Sequence, residues 1–286
     1  MRDAPISARG RAPAPAKILG VALIATALLA AAHLGLFRTS AALLQAEHGL
    51  LGRFLAAALC PALDYESAVP AGTPPLWQKV LEGLRSTASF ALAGLSLALC
   101  FGAPLGILCA RSTWRAEKHD PRALAARALW LGARSLAAAL RSVHELLWAA
   151  LFLAALGASP LAAACALALP YAGTLAKVFS ELLDEADERA VRALEETGAS
   201  RVQAFLAARL PTALPDLTAY AFYRFECALR SAAVLGFFGY PTLGLLIAQA
   251  FENQHLRELW TYLYALLLLV LLAERWSSAL RRRLVA

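Results

Sequence analysis

Arg224, Glu226 and Arg230 stand close together in an otherwise apolar stretch of chain. An ionisable group at the centre of a membrane-crossing helix costs roughly 2.5–3.5 kcal/mol on insertion scales, so such groups face the protein interior and pair, or line an ion's path. Both chemistries fit these residues. Glu226 and Arg230 are four apart on one helical face and can pair directly as a structural lock. Alternatively, Arg224 or Arg230 attracts an anion moving along a pathway, with Ser231 beside it. A second pair, His144-Glu145, has the residue types for metal or proton chemistry. Helical neighbours point about 100° apart, and no second histidine is near in sequence, so this pair reads as structural or interfacial. The five cysteines (Cys60, Cys100, Cys109, Cys165 and Cys227) show no C-x-x-C or metal spacing and read as small packing residues. The sequence contains no G-x-x-x-x-G-K-[ST] phosphate loop and no evident nucleophile–base arrangement, so it offers no route of that kind to ATP hydrolysis.

The densest charge lies in residues 181–217, ELLDEADERAVRALEETGASRVQAFLAARLPTALPDL. Glu185 to Glu196 is rich in helix formers, and Gly198 sits where a helix C-terminal cap belongs. A second helical run, Ser200 to Arg209, is expected to end at Leu210-Pro211. Two short helices joined by a glycine corner make a knob that can dock in a groove of another protein. The bland alternative is a solvated connection, which has no need of the Gly198/Pro211 framework.

The surrounding elements are apolar. The chain is 60% hydrophobic and 16% charged, against about 25% charged in soluble domains. Leu and Ala fill stretches approaching the roughly 20 residues that cross a bilayer, without the alternation of barrel strands. The fold class is therefore all-α, a polytopic membrane protein of about six transmembrane helices. The spans are expected near 18–36, 84–110, 143–156 (beginning earlier), 161–178, 216–238 and 256–273. Residues 1–17 read as a leader and 37–76 as a segment outside the cytoplasm, with an interfacial helix bearing Leu43, Leu44, Leu50, Leu51, Phe54 and Leu55 and a proline-rich loop from Cys60 to Pro75. The core occupies 77–274, and 275–286 is a basic tail. Between Arg111 and Arg141, seven basic residues (Arg111, Arg115, Lys118, Arg122, Arg127, Arg134 and Arg141) face only Glu117 and Asp120. That bias marks the segment as cytoplasmic, with Leu124 to Leu140 forming a helix along the membrane surface or entering it. Loop 181–210 and both termini fall on the same side. The net charge of +7 belongs to this bias; no basic cluster sits on a soluble domain, which excludes nucleic acid as the partner. No internal repeat supports a secondary transporter.

The 181–217 segment resembles the cytoplasmic motif of ABC importer membrane subunits, E-A-A-x3-G-x9-I-x-L-P. Ala193, Gly198 and Leu210-Pro211 match it, with Arg192 in place of Glu, Leu194 of the second Ala and Ala208 of Ile. Arg141 to Ala149 is similar to the R-A-I-P-E-L-x-W-A run of phosphonate permeases, with His144 for Pro. Tyr223 to Gly236 is similar to their Y-R-F-E-x-N-x-R-S-A-x-V-L-G, with Ala228 for Asn. The likeness covers about residues 75 to 275. It departs where the family's G-A-G-G-I-G is replaced by Gly239-Tyr240-Pro241-Thr242-Leu243-Gly244, a stiffer and larger corner toward the outer mouth.

This resemblance implies a type I ABC importer permease (MetI-like) fold in a bacterial inner membrane. It implies a homodimer in the lipid bilayer, two copies of a separate ATPase holding ATP and Mg, and an extracytoplasmic solute-binding protein. The chain itself would bind no cofactor or metal. Coupling to the ATPase would fall to Asp187, Arg192, Ala193, Glu196, Gly198, Ala199, Leu210 and Pro211. The substrate pathway would involve Arg224, Glu226, Arg230, Ser231, Gly236, Gly239, Tyr240 and Gly244. The cargo would be a phosphonate or related phosphorus oxyanion. An importer for another small solute, an ion-gradient-driven carrier and a membrane-embedded enzyme are the rivals.

Overall fold

The computed structural model describes residues 14–34, 48–114 and 123–285, and every regular element among them is helical. The expected leader up to residue 13, Leu43 and Leu44, and the charges from Arg115 to Arg122 lie outside the described residues. Helices α1 (Ala14–His33) and α2 (His48–Leu59) belong to a first compact unit that ends at Leu59; a second begins at Cys60. α1 is apolar from Leu19 to His33. α2 falls where an interfacial helix is expected, with Leu51 and Leu55 exposed.

The second unit starts with an irregular stretch, 60–75, and then α3 (Leu76–Cys109). Its 34 residues extend about 51 Å, well beyond a bilayer's hydrocarbon. A short turn, Arg111–Trp114, follows, then α4 (Ala123–Ser142), α5 (Glu145–Leu156) and α6 (Pro160–Glu185). Ser159 caps α6 by accepting from the Ala162 N–H at 3.2 Å, and Pro160 opens it, where a missing N–H is harmless. α6 is the central helix: Ala162, Ala166, Leu167, Leu175 and Ala176 are fully buried. Small residues let α3 lie tightly along it. A Cβ on Gly102 would meet the Ala172 carbonyl oxygen at 2.9 Å, the close packing that holds helices together where lipid removes the hydrophobic drive.

Among the described residues, four helices are long and apolar enough to cross a membrane: Leu76–Cys109, Ala123–Ser142, Pro160–Glu185 and Leu256–Arg282. A helix pair bent by 46°, Arg201–Phe238 and Leu243–Glu252, has the length and apolarity of a fifth span when taken as one. The segment around Leu124 to Leu140, expected along the surface or entering the membrane, is thus part of a helix with the length of a span. The span expected from Val143 is α5, twelve residues and about 18 Å, too short to cross alone. It is separated from α4 by an extended residue, His144, whose φ of −66° and ψ of 146° end one helix and whose Nδ1 accepts from the Leu146 N–H to start the next.

The charged loop contains α7 (Glu188–Glu196) and α8 (Arg201–Ala204). The second helical run does not end at Leu210-Pro211. It passes through a wide π-turn, Phe205–Arg209, into α9 (Leu210–Val234). The widened turn accommodates Pro211, whose ring clashes with the preceding turn of an ordinary helix and whose nitrogen donates no bond. α9 ends in a tight turn through Phe238, followed by α10 (Leu243–Glu252) and α11 (Leu256–Val285). The basic tail is therefore a continuation of α11. The loop at 60–75 caps that helix: the Glu66 carboxylate accepts from the Arg257 and Glu258 N–H groups at 2.7 and 3.2 Å, and Glu258 accepts from the Glu66 N–H at 2.7 Å. Two orphan donors of a helix start are satisfied from almost two hundred residues away.

Candidate functional site

Helical periodicity divides α9 into two faces. Phe222, Phe225 and Glu226 look toward α11, where both rings make T-shaped contacts with Trp276 and the Glu226 carboxylate pairs with Arg281 at 3.3 Å. The expected Glu226–Arg230 pair does not form. Glu226 is buried in the helix contact while Arg230 points out of it, exposed, with only the Cys227 sulfur at 3.6 Å.

Arg224 lies on the other face, one and two turns from Cys227 and Ser231. Its guanidinium stacks 4.4 Å above the Tyr171 ring, a favourable cation–π geometry. Its Nε is buried without a hydrogen-bond partner. Neither Arg224 nor Arg230 is paired with a carboxylate among the described residues. Tyr171 then links α6 to α9, its hydroxyl donating to Ser231 Oγ at 3.0 Å. Ser231 donates in turn to Glu145 Oε1 at 2.8 Å, and Glu145 Oε2 lies 3.6 Å from His144 Nε2. A chain of polar groups therefore crosses three helices, starting at a cation and ending on a carboxylate at the α4–α5 break. Of its members, Arg224 and Ser231 belong to the expected pathway. Tyr171 carries no sequence signal beyond being an aromatic in an apolar run. His144 and Glu145 are visible in the sequence but read there as structural or interfacial; only the fold brings Ser231 to Glu145.

The other expected pathway residues lie elsewhere, in the α9–α10 turn. Gly236 and Gly244 meet backbone to backbone: a Cβ on Gly236 would collide with the Leu245 nitrogen and one on Gly244 with the Ala233 carbonyl oxygen. Gly239 turns the chain at φ +85°. Tyr240 is 1% exposed and packs edge-on to Phe90, while Thr242 donates to the Ala233 carbonyl at 3.1 Å. The Leu243 N–H donates to Thr87 Oγ1 at 3.0 Å. Tyr240 and Thr242 are thus internal packing, while Pro241 is exposed.

The second candidate region is the knob. Asp187 accepts from the Arg189 N–H at 2.9 Å and caps α7; Arg192 pairs with Glu188 at 2.7 Å. Gly198, at φ +90°, closes the helix with the Ala199 N–H donating to the Leu194 carbonyl at 3.1 Å, a glycine-dependent C-terminal cap. Ser200 and Gln203 form a reciprocal capping box at the start of α8. Val191, Ala204 and Ala208 pack into a small core with Leu194 against it. Ala193 and Glu196 are exposed, Leu210 is half-buried, and Pro211 opens α9. One anchor has no counterpart among the expected residues: Arg209, 3% exposed, donates to the Leu183 carbonyl at 2.8 Å and reaches Glu188 at 3.9 Å. It ties the end of α6, the start of α7 and the π-turn into one body. A cleft of about 450 Å³ lies between this body and the end of α3, lined in part by Ile107, Thr113, Val191, Val202 and Phe205.

At the opposite end of α3 a cavity of about 560 Å³ is bordered by Tyr65, Lys79, Glu82, His255, Glu258 and Tyr262. Lys79 stands 5.5 Å above the Tyr65 ring. Burial, with Glu258 and Glu82 nearby, holds the Tyr65 hydroxyl above its ordinary pKa, so it serves as a neutral donor, to the Pro74 carbonyl at 2.9 Å.

A helical membrane core with a capped knob between two spans is the architecture of a multi-pass transport component. The chain belongs to the family of binding-protein-dependent transport system inner membrane components, whose model matches residues 102–285. It is 32% identical over 200 residues to the phosphite transport system permease protein PtxC of Stutzerimonas stutzeri, covering 70% of this chain and 69% of that one. It is 28% identical over 217 residues to the phosphate-import permease protein PhnE of Mycolicibacterium smegmatis, covering 76% of this chain but only 39% of that longer protein. In fold it is similar to a chain of the inward-facing MetNI methionine ABC transporter, with a TM-score of 0.62, 19% identity, and coverage of 73% of this chain and 97% of the other. A chain of an amino acid ABC transporter gives a TM-score of 0.60 at 16% identity, covering 72% and 94%.

Proposed function

We propose that the chain is the membrane permease of an ATP-driven importer for a phosphonate or a related phosphorus oxyanion. The observation that carries the anion reading is the state of α9: Arg224 and Arg230, two guanidiniums on a membrane-spanning helix, are without carboxylate partners among the described residues. Lipid exposure of such groups is costly, so they belong beside a water-filled path or a facing subunit. With Glu226 engaged by Arg281, a Glu226–Arg230 lock no longer accounts for them. Two copies meeting along the exposed Arg230 side of α9 would bring two guanidiniums to a common passage, a homodimeric arrangement that attracts small oxyanions.

The knob side carries Arg111, Arg134, Arg189, Arg192 and Arg201, which favours a cytoplasmic position and, with α11 ending on that side, a cytoplasmic C-terminus; the N-terminus is proposed to lie there too. The knob would seat in an ATPase that holds ATP and Mg, while this chain binds no cofactor. A solute-binding protein would deliver cargo at the other end, near the cavity beside Glu82 and His255. Closure of the ATPase pair on ATP would move the knob, which Arg209 holds to α6 and α9, and shift the population between inward- and outward-open states. The names of the phosphite and phosphate relatives support the oxyanion class.

The test is ATP-driven uptake of phosphite and methylphosphonate in proteoliposomes containing permease, ATPase and binding protein. Uptake lost in Arg224→Gln and Arg230→Gln, with the complex still assembled, is the expected result. Uptake that persists without any ATPase overturns the importer reading, and loss of assembly in both variants would make the arginines structural.

A further inference from the structure

We infer that Glu145 is a specificity-determining residue that reserves the pathway for oxyanions carrying a proton. The inference rests on the oxyanion reading above and follows from the direction in which the hydrogen bonds must run. An ionised carboxylate only accepts. Ser231, 2.8 Å from Glu145, must therefore spend its single proton on it. Ser231 Oγ can then only accept from Tyr171 at 3.0 Å, which commits the phenolic proton as well. Every remaining capacity of the relay is a lone pair: on Tyr171, on Ser231 and on the rest of the Glu145 carboxylate, whose side chain is 21% exposed. The groups surrounding it are His144 beside Glu145, and Arg224 and Cys227 on α9 near Tyr171. Of these, Arg224 is the fixed cation.

An anion resting against both Arg224 and the Glu145 end of this relay would meet N–H donors on one side and acceptors only on the other. A fully deprotonated tetrahedral ion such as sulfate satisfies the arginine but sets its oxygens against the relay's lone pairs and the Glu145 charge. A phosphonate or phosphite monoanion places one oxygen on the guanidinium and turns its own P–OH toward the relay. Sites that demand a hydrogen bond reject ligands unable to make it far more strongly than apolar sites reject a size difference, because a buried group is left unpaired.

The measurement is equilibrium dialysis of labelled phosphite against the permease–ATPase complex in nanodiscs, without binding protein, with sulfate as competitor. In the wild type, sulfate should compete about 100-fold more weakly than unlabelled phosphite. Glu145→Gln supplies an N–H donor, lets the relay reverse, and should narrow the gap to less than about tenfold. Ser231→Ala frees the Tyr171 hydroxyl to donate and should also narrow it, whereas Tyr171→Phe leaves Ser231 committed to Glu145 and should preserve it. Sulfate competing within tenfold of phosphite in the wild type, an undiminished gap in Glu145→Gln, or no phosphite binding at all would each overturn the inference. Uptake in the complete proteoliposome system separates the two readings: transport with no discrimination removes only the role of Glu145, whereas absent wild-type transport removes the importer itself.

Discussion

Glu226 on α9 pairs with Arg281 on α11, 55 positions further along the chain, and not with Arg230, one turn away on its own helix. The carboxylate is buried between the helices and the guanidinium is partly exposed. The pair therefore joins the bent crossing to the last span and leaves Arg230 unengaged by any carboxylate among the described residues.

Removing one partner should expose that dependence. Arg281→Ala leaves a buried carboxylate unpaired and should destabilise the protein by about 1–3 kcal/mol, the lower range reflecting the partial exposure of the arginine. The Glu226→Gln/Arg281→Gln double variant should recover part of the loss. Thermal unfolding in detergent, read as a shift in midpoint, provides the comparison; equal destabilisation by the single and double changes would show that the pair contributes nothing.

The α9–α10 turn predicts two opposite outcomes for one type of substitution. Gly244→Ala sets a methyl against the Ala233 carbonyl and should abolish the folded, monodisperse protein. Gly239→Ala meets open space and should cost only about 1–2 kcal/mol for its left-handed backbone. Size-exclusion profiles after solubilisation distinguish them.

The knob should fail in two distinguishable ways. Gly198→Val strains the cap at φ +90° and should loosen α7, reducing co-purification of an ATPase. Arg209→Met removes the tie to the Leu183 carbonyl while leaving the exposed docking face unchanged. It should retain the ATPase yet lower the solute moved per ATP hydrolysed at least several-fold; an unchanged ratio would dismiss Arg209 as a transmission element.

The cap supplied by Glu66 should govern the start of α11. Glu66→Ala leaves the Arg257 and Glu258 N–H groups without their partner and should cost about 1 kcal/mol, in the range of other lost caps. Hydrogen exchange should accelerate at the amides of residues 257–259 while the middle of α11 stays protected.

Much of this protein is legible from local chemistry. Leu- and Ala-filled stretches of bilayer length specify helices because hydrocarbon leaves backbone groups no partner except their own helix. Gly198 and the helix formers around it announce the knob, and the motif likeness from Ala193 to Pro211 places the chain in its family. Boundaries were less accessible. Pro211 reads as a stop, yet the π-turn at 205–209 lets α9 begin there. The sequence puts a span at 143–156, beginning earlier, yet the length to cross lies in α4 and α5 is a separate short helix, because His144 ends one helix and caps the next in the midst of apolar sequence.

What the sequence determined by itself is the all-helical membrane class, the knob and the presence of costly charges on α9: each follows from residue type and spacing along one helix. Which charges pair, and which stay free, was decided only by tertiary structure. Glu226 found Arg281 instead of Arg230, and Glu145 met Ser231 and Tyr171. In low-dielectric surroundings a charge takes whichever partner the helix packing presents, and that choice depends on helix rotation and register, which no local periodicity encodes.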